Sequence, residues 1–407
     1  MNSVNDIRQR LVDSDLLASD DADSRLAAWQ EETSAWDDVP SEDFVDWLIE
    51  QNIITEFQGD AIIQGHVGPF LLGPYRVKEQ IAAGRLGAVY RAVHDEFDQP
   101  VSLKIFPRSL KDDSEKLARM GREARIFAEL DHPNVLRSYE VGCVADTYYL
   151  ALEDLHGETL SKRLERETRI PYELSCRIIR DVANGLQHLH ENDVVHRDLR
   201  PDSIWIGENG VNKVIEFGAA RDAFAEIDTT DEGAQLTQTE TVIGDYEYMA
   251  PEQAQDVRDA GELSDIYGLG CVLYHCLAGH PPFTDKNPVQ LVLKHLNADV
   301  PRISELLDDV PHQLDETLEA MLAKDPAQRF QAASDVAYAL GPYIKSSEDE
   351  DRVVVVDVSQ QYLDWVNSQQ PTEPTQVPDD AVAITPELTD FLGWMSQRQK
   401  RRRRRKR

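Results

Sequence analysis

Cysteine is scarce. The four present in 407 residues (Cys143, Cys176, Cys271 and Cys276) form no CxxC pair. They are too few to staple a chain of this length, so reduced thiols in a cytosolic compartment are expected. Long apolar runs are missing too. The most apolar stretch, Ile266–Ala278, carries His275 and is too short to span a bilayer. The N-terminus, MNSVNDIRQRLVDSD, lacks the basic flank and apolar run of a signal peptide. Basic residues are the minority, 42 Lys and Arg against 75 Asp and Glu, for a net charge of −33. A body so acidic repels nucleic acid and anionic membrane. Disulfide-stapled, collagen-like and membrane-spanning classes are thereby excluded, and a soluble cytoplasmic protein of two or three domains is expected.

The positive charge that exists is concentrated. Residues 398–407, RQKRRRRRKR, carry nine cations and no anion. The chain's own acidic body ranks first as their partner, because it is always at high effective concentration. Nucleic acid and acidic lipid rank behind it. At the other end, residues 1–72 hold sixteen Asp and Glu against three Arg, yet show helical punctuation. Ser41 is placed to cap a helix carrying Phe44, Val45, Trp47, Leu48 and Ile49, and Thr55 to cap one carrying Phe57, Ile62 and Ile63. Leu11, Val12, Leu16, Leu17 and Leu26 recur 37 residues later as Leu48, Ile49, Ile53, Ile54 and Ile63. This pattern predicts an acidic helical module of two related helix pairs.

From residue 75 to 343 the texture changes. Strand-like runs come first (RVKEQIA, GAVYRAV, VSLKIF, TYYLALE) and longer helical patterns follow, which predicts an α+β domain in two unequal parts. Residues 346–407 read as an acidic, then polybasic, mostly disordered tail. Within it Tyr362-Leu-Asp-Trp365 and Phe391-Leu-Gly-Trp394 resemble each other and Phe44-Val-Asp-Trp47. Aromatics so spaced in a polar tail suit short docking peptides, for a partner or for the chain's own folded domain.

Phosphoryl transfer needs a Gly-rich turn, a cation on the phosphates, oxygen ligands for Mg²⁺ and a carboxylate for the nucleophile's proton. Candidates occur in the expected order. Ile81-Ala-Ala-Gly-Arg-Leu-Gly-Ala-Val89 is followed by Val101-Ser-Leu-Lys104, Arg122-Glu-Ala-Arg125 and His132-Pro-Asn134. His196-Arg-Asp-Leu-Arg-Pro-Asp-Ser203, Glu216-Phe-Gly218 and Tyr248-Met-Ala-Pro-Glu252 come next. The Gly-rich turn alone is a weak signal, whereas HRDLRPDS followed by EFG and YMAPE is very specific.

Over residues 75–343 the chain resembles the protein kinase family, specifically bacterial Ser/Thr kinases. The resemblance implies a two-lobed fold, with a small β-rich N-lobe and a large helical C-lobe, and ATP in the cleft between them. Gly84 and Gly87 would lie in the phosphate-covering hairpin, with Val89 on the adenine. Lys104 would hold the α- and β-phosphates and pair with Glu123. Leu152 would be the gatekeeper and Glu153–Leu155 the adenine hinge. Asp198 matches the catalytic carboxylate, and Arg200 stands where the family has a γ-phosphate lysine. Asp265 matches an Asp that braces the HRD backbone, and Glu252 and Arg329 match a structural ion pair.

The chain departs from the family pattern in the metal and phosphate machinery. The metal-binding Asp is Glu216, the second ligand, normally Asn, is Ser203, and Asp245 replaces a threonine. Ala82 replaces the first loop glycine, and Ser102 the alanine under the adenine. Glu moves its charge out by roughly 1.5 Å, while Mg²⁺ demands near-ideal octahedral geometry. Arg spreads its charge over a planar fork that does not mimic an ammonium. The pattern predicts an ATP-binding attenuated kinase or pseudokinase, with Mg²⁺ weakly held or dispensable and a regulatory or scaffolding role toward a protein partner. The alternative is an active Ser/Thr kinase acting on protein hydroxyls, its own Thr237, Thr239 or Thr241 among them.

Overall fold

The computed structural model describes residues 3–33, 40–66, 70–84, 87–106, 129–145, 147–215, 246–256, 259–344 and 358–369. The chain divides into two compact units. The first takes residues 1–125, 138–154 and 357–407, and the second takes 126–137 and 155–356.

The first unit is built on six antiparallel strands: β1 (Leu71–Leu72), β2 (Tyr75–Gly84), β3 (Gly87–His94), β4 (Pro100–Ile105), β5 (Ser138–Val144) and β6 (Thr147–Glu153). Their order in the sheet is β1-β2-β3-β4-β6-β5. Strand alternation puts Val101, Leu103 and Ile105 of β4 on one face and Ser102 and Lys104 on the other. All three apolar side chains are buried.

They are buried because helices cover that face. These are α1 (Val4–Asp13), α2 (Ser19–Thr33), α3 (Ser41–Glu50) and α4 (Glu56–Ile63). The 37-residue repeat reappears in their geometry: α3 and α4 begin where α1 and α2 would if shifted by that interval. The left-handed residues Asp15 and Asn52, which turn the chain between the helices of each pair, keep the same spacing. Thr55 caps α4 through a reciprocal pair with Gln58, as its spacing predicts. Ser41 does not cap α3. It is the first helical residue, Pro40 is the cap, and no side chain bonds the helix start.

The α4 cap also grips the sheet. Register shifts in the β2–β3 ladder at Val77/Glu79 free local carbonyls. The Thr55 hydroxyl donates to the Lys78 carbonyl, and the Gln58 amide donates to that of Val77 at 3.2 Å. Phe57 meets Tyr90 and Phe70 edge-on, at 5.6 and 6.1 Å. Helices and strands therefore share one hydrophobic core, from Ile7 and Leu11 through Phe57 to Leu103 and Tyr149.

Within the stretch expected to be a mostly disordered tail, Gln360–Gln369 forms a helix, here labelled α13. Its Tyr362 and Val366 are buried in the same core. Four aromatic rings close around His94: Tyr75, Phe97, Tyr362 and Trp365. The His94 Nδ1 accepts from the Glu96 and Phe97 amides, while its buried Nε2 has no partner. Burial lowers the imidazole to about 4, against a weaker upward pull from Asp95, which is itself paired with Arg76. The unfolded chain takes up this proton at about pH 6.5 and the folded one refuses it, so stability is lost as pH falls from about 6.5 toward 4. His94→Phe should shrink the fall in melting midpoint between about pH 7 and pH 5. Equal falls in both proteins would contradict this.

The second unit packs around two long helices. Besides these it holds β7 (Gly157–Thr159), α5 (Leu160–Glu167), β8 (Ile204–Gly207), β9 (Asn212–Val214), α7 (Pro251–Gln255), α9 (Pro288–Asn297), α10 (Ile303–Leu306), α11 (Gln313–Met321) and α12 (Ala333–Leu340). The long helices are α6 (Tyr172–Glu191), amphipathic, and α8 (Glu262–Ala278), which is apolar nearly all round and correspondingly buried. The polybasic residues 398–407, and Phe391 and Trp394, lie outside the described residues.

Candidate functional site

The best-defined site residues lie on the loop between α6 and β8. Asp265, in the first turn of α8, organises it. One carboxylate oxygen accepts from the His196 amide at 2.8 Å and from the His190 Nε2 at 2.9 Å, and the other accepts from the Arg197 amide at 2.7 Å. Arg197 holds φ at +65°, in the left-handed region that non-glycine residues seldom occupy. Surroundings that over-determine the conformation sustain such strain. Here Asp265 holds the Arg197 amide, and the Gln253 side chain donates to its carbonyl at 2.8 Å. The chain reversal sets Asp198, whose amide donates to His196 Nδ1 at 3.3 Å, between a buried His196 and a buried Leu199.

Beyond Asp198 the loop serves itself. Arg200 Nε lies 3.8 Å from the Asp198 carboxylate, so the guanidinium partly neutralises the candidate base. Ser203 is buried. Its hydroxyl donates to the Arg200 carbonyl at 2.8 Å and accepts from the Arg200 amide at 3.0 Å. That oxygen already commits its proton and one of its two lone pairs to backbone, which leaves a single lone pair and makes Ser203 a poor Mg²⁺ ligand as it stands. Among the described residues, no group of three or more His, Cys, Asp or Glu side chains is gathered to hold a metal. Glu216, Asp245, Thr237, Thr239 and Thr241 lie outside those residues, as does Glu123.

The nucleotide-facing candidates lie in the first unit. Gly84 and Gly87 pair with each other across the β2–β3 ladder. Val89 pairs in register with Lys104, which is half-buried. Ser102, Lys104 and Leu152 belong to neighbouring strand positions, with Ser102 opposite Leu152. The Ser102 hydroxyl is fully buried and makes no hydrogen bond. Glu153 pairs with Val101, and the next carboxylate, Asp154, accepts from Arg91 at 3.2 Å. Leu155 follows as the first residue of the second unit. A backbone hairpin with glycines, a strand lysine and an apolar strand neighbour fit a nucleotide triphosphate.

Scaffold residues account for the rest of the loop's surroundings. Glu252 accepts two bonds from Arg329, at 2.7 and 2.8 Å, and one from the Ser264 hydroxyl at 2.6 Å. Burial alone would raise its carboxyl, and these bonds hold it below the usual range instead. The family resemblance pointed to Asp265, Glu252 and Arg329. It missed His190 and Gln253, whose types are ordinary and whose partners are distant in sequence.

Comparisons with known proteins bear on this arrangement. A family model described as protein kinase domain matches residues 75–339. Serine/threonine-protein kinase PrkC of Bacillus subtilis is 32% identical over 70% of this chain, which spans 42% of PrkC. Serine/threonine-protein kinase PknL of Mycobacterium tuberculosis is 34% identical over 64% of this chain, which spans 63% of PknL. The crystal structure of the PknI kinase domain from Mycobacterium tuberculosis aligns with TM-score 0.52 at 23% identity, covering 67% of this chain and 97% of that one. At that identity the alignment speaks to fold, a β-sheet N-lobe and a helical C-lobe. No helix among the described residues is long and apolar enough to cross a membrane.

Proposed function

This chain belongs to the protein kinase family, alongside the bacterial Ser/Thr kinases, and on that premise we propose that it is an ATP-binding, attenuated Ser/Thr kinase or pseudokinase with a regulatory role. One observation carries the reading. The loop bearing Asp198 is braced by Asp265 and Gln253, while Ser203 beside it commits its proton and one of its two lone pairs to the Arg200 backbone. The positioning parts are kept and the Ser203 metal ligand is weakened.

The roles follow from chemistry. The Gly84 and Gly87 backbone admits phosphates closely, and Lys104 neutralises their charge. Val89 and the Glu153–Leu155 segment receive the base. Asp198 orients a protein hydroxyl and takes its proton. ATP, when bound, supplies a γ-phosphorus open to attack by that hydroxyl. Arg200, 3.8 Å from Asp198, competes with the substrate hydroxyl for the carboxylate's lone pairs. The same braced loop supports the second reading, an ordinarily active kinase.

Nucleotide binding separates these readings from an unrelated use of the fold. ATP should raise the melting midpoint whether or not Mg²⁺ is present. No shift under either condition would remove ATP from the account, and a shift seen only with Mg²⁺ would favour the ordinary kinase.

A further inference from the structure

Helix α13 belongs, by sequence, after everything else the structure describes, yet it completes the first unit's core. A ten-residue helix in isolation is marginal in water, so the order of α13 comes from what it packs on. That packing is concentrated in a few side chains. The Tyr362 ring is fully buried, lies 5.2 Å from Tyr139 and 5.4 Å from His94, and its hydroxyl bonds that of Tyr75 at 2.9 Å. Trp365 lies 4.5 Å from His94 and 6.1 Å from Phe97. The Ser359 amide, just before the helix, donates to Gln99 Oε1 at 3.0 Å. A few buried aromatics carrying a contact is how peptide-recognition sites distribute their energy.

The site has a definite mechanical position. His94, Phe97 and Gln99 form the closed end of the β3–β4 hairpin, where the His94 amide donates to the Gln99 carbonyl at 2.9 Å. Val89 and Lys104 pair across the other end of that hairpin. The chain also uses the same device elsewhere. On α3, Phe44 and Trp47 stack at 6.3 Å and 18°, with Phe44 fully buried, while Tyr362 and Trp365 on α13 stack at 5.9 Å and 22°. An aromatic followed three residues later by Trp is thus a recurrent helical anchor for this core.

We propose that residues 358–369 are a separable helical ligand of this sheet face, seated by Tyr362 and Trp365, and that their seating sets how firmly the β3–β4 hairpin is held. The covalent tether keeps the ligand at an effective concentration near millimolar, so modest intrinsic affinity suffices to fill the site. Release would uncover Tyr75, His94 and Tyr139 and loosen the hairpin from its turn. The consequence for nucleotide rests on the reading of Lys104 given above; the seating itself does not.

The test uses the full chain with a specific protease sequence inserted after Glu350, cut so that both pieces remain in solution. At tens of micromolar the C-terminal piece should stay bound, and on dilution to nanomolar it should leave. Amide hydrogen exchange over residues 87–105 should then quicken at least about tenfold. A synthetic peptide of residues 357–370 should restore the protection. Tyr362→Ala with Trp365→Ala should abolish retention, and the milder Tyr362→Phe, which removes only the hydroxyl bond, should weaken it several-fold in a protein that folds normally. Three results would overturn the proposal. One is unchanged exchange over residues 87–105 after the piece has left. The second is undiminished retention in the double variant. The third is retention lost at high salt alone, which would assign the hold to the polybasic end. Because exchange is read without nucleotide, a failure to bind ATP would defeat the kinase reading and leave this one to be decided separately.

Discussion

The double substitution Glu216→Asp with Ser203→Asn is expected to raise γ-phosphate transfer by about a hundredfold or more, well beyond either change alone. The reason at position 203 is atomic. The serine oxygen both donates to and accepts from the Arg200 backbone, and serine has no second polar atom. Asparagine separates those functions, since its amide nitrogen can donate to the Arg200 carbonyl while its oxygen stays available to a cation. At position 216 the shorter aspartate draws the charge back by one methylene. Both ligands would act around one triphosphate, so their effects should couple. Adding Asp198→Asn should erase the gain. A double variant that folds, binds ATP and remains inert would move the block to Arg200, Asp245 or the Ala82–Gly87 hairpin.

Asp265→Ala should be the most destabilising single change among the site residues. It would strand three donors, the His196 and Arg197 amides and the His190 ring, in a buried site. Orphaning buried polar partners of a charged group costs about 3–5 kcal/mol, or roughly 10 °C in melting midpoint for a unit of this size. It would also release Arg197 from φ +65° and so misplace Asp198. Asp265→Asn, which can accept but also presents donors toward the same amides, should fall between the parent and Asp265→Ala. A melting midpoint within about 2 °C of the parent for Asp265→Ala would contradict this account of the loop.

Most of the fold was legible because chemistry constrains residue types at fixed spacing. HRDLRPDS and YMAPE carry the family resemblance that implies a braced loop and an ion pair, whose members the structure brings together, and the 37-residue repeat announces paired helices, which the structure turns at Asp15 and Asn52. What spacing does not carry is the direction in which a side chain spends its hydrogen bonds. Ser203 could be read as a poorer ligand, but its capture by the Arg200 backbone is a matter of rotamer. Helix α13 was legible only in part: the Tyr362 and Trp365 spacing marks a docking segment, but not the surface that receives it. Its ten residues are mostly polar, and its partners Tyr75 and Gln99 precede it by 287 and 260 positions. No local pattern reports contacts so distant. VSLKIF announced a strand, but not that helices from both ends of the chain join the core behind Val101, Leu103 and Ile105.

The proposed attenuated kinase keeps its positioning machinery and handles metal poorly. The most direct measurement is the turnover of γ-phosphate transfer from ATP with Mg²⁺ to a protein hydroxyl, for the parent chain and for Asp198→Asn. Ordinary protein kinases turn over at about 1–100 per second. The account predicts a parent rate below about 0.1 per second, with ATP binding retained in both proteins and the residual transfer lost in Asp198→Asn. A parent rate within the ordinary range, abolished by Asp198→Asn, would contradict it and establish Glu216 and Ser203 as competent ligands.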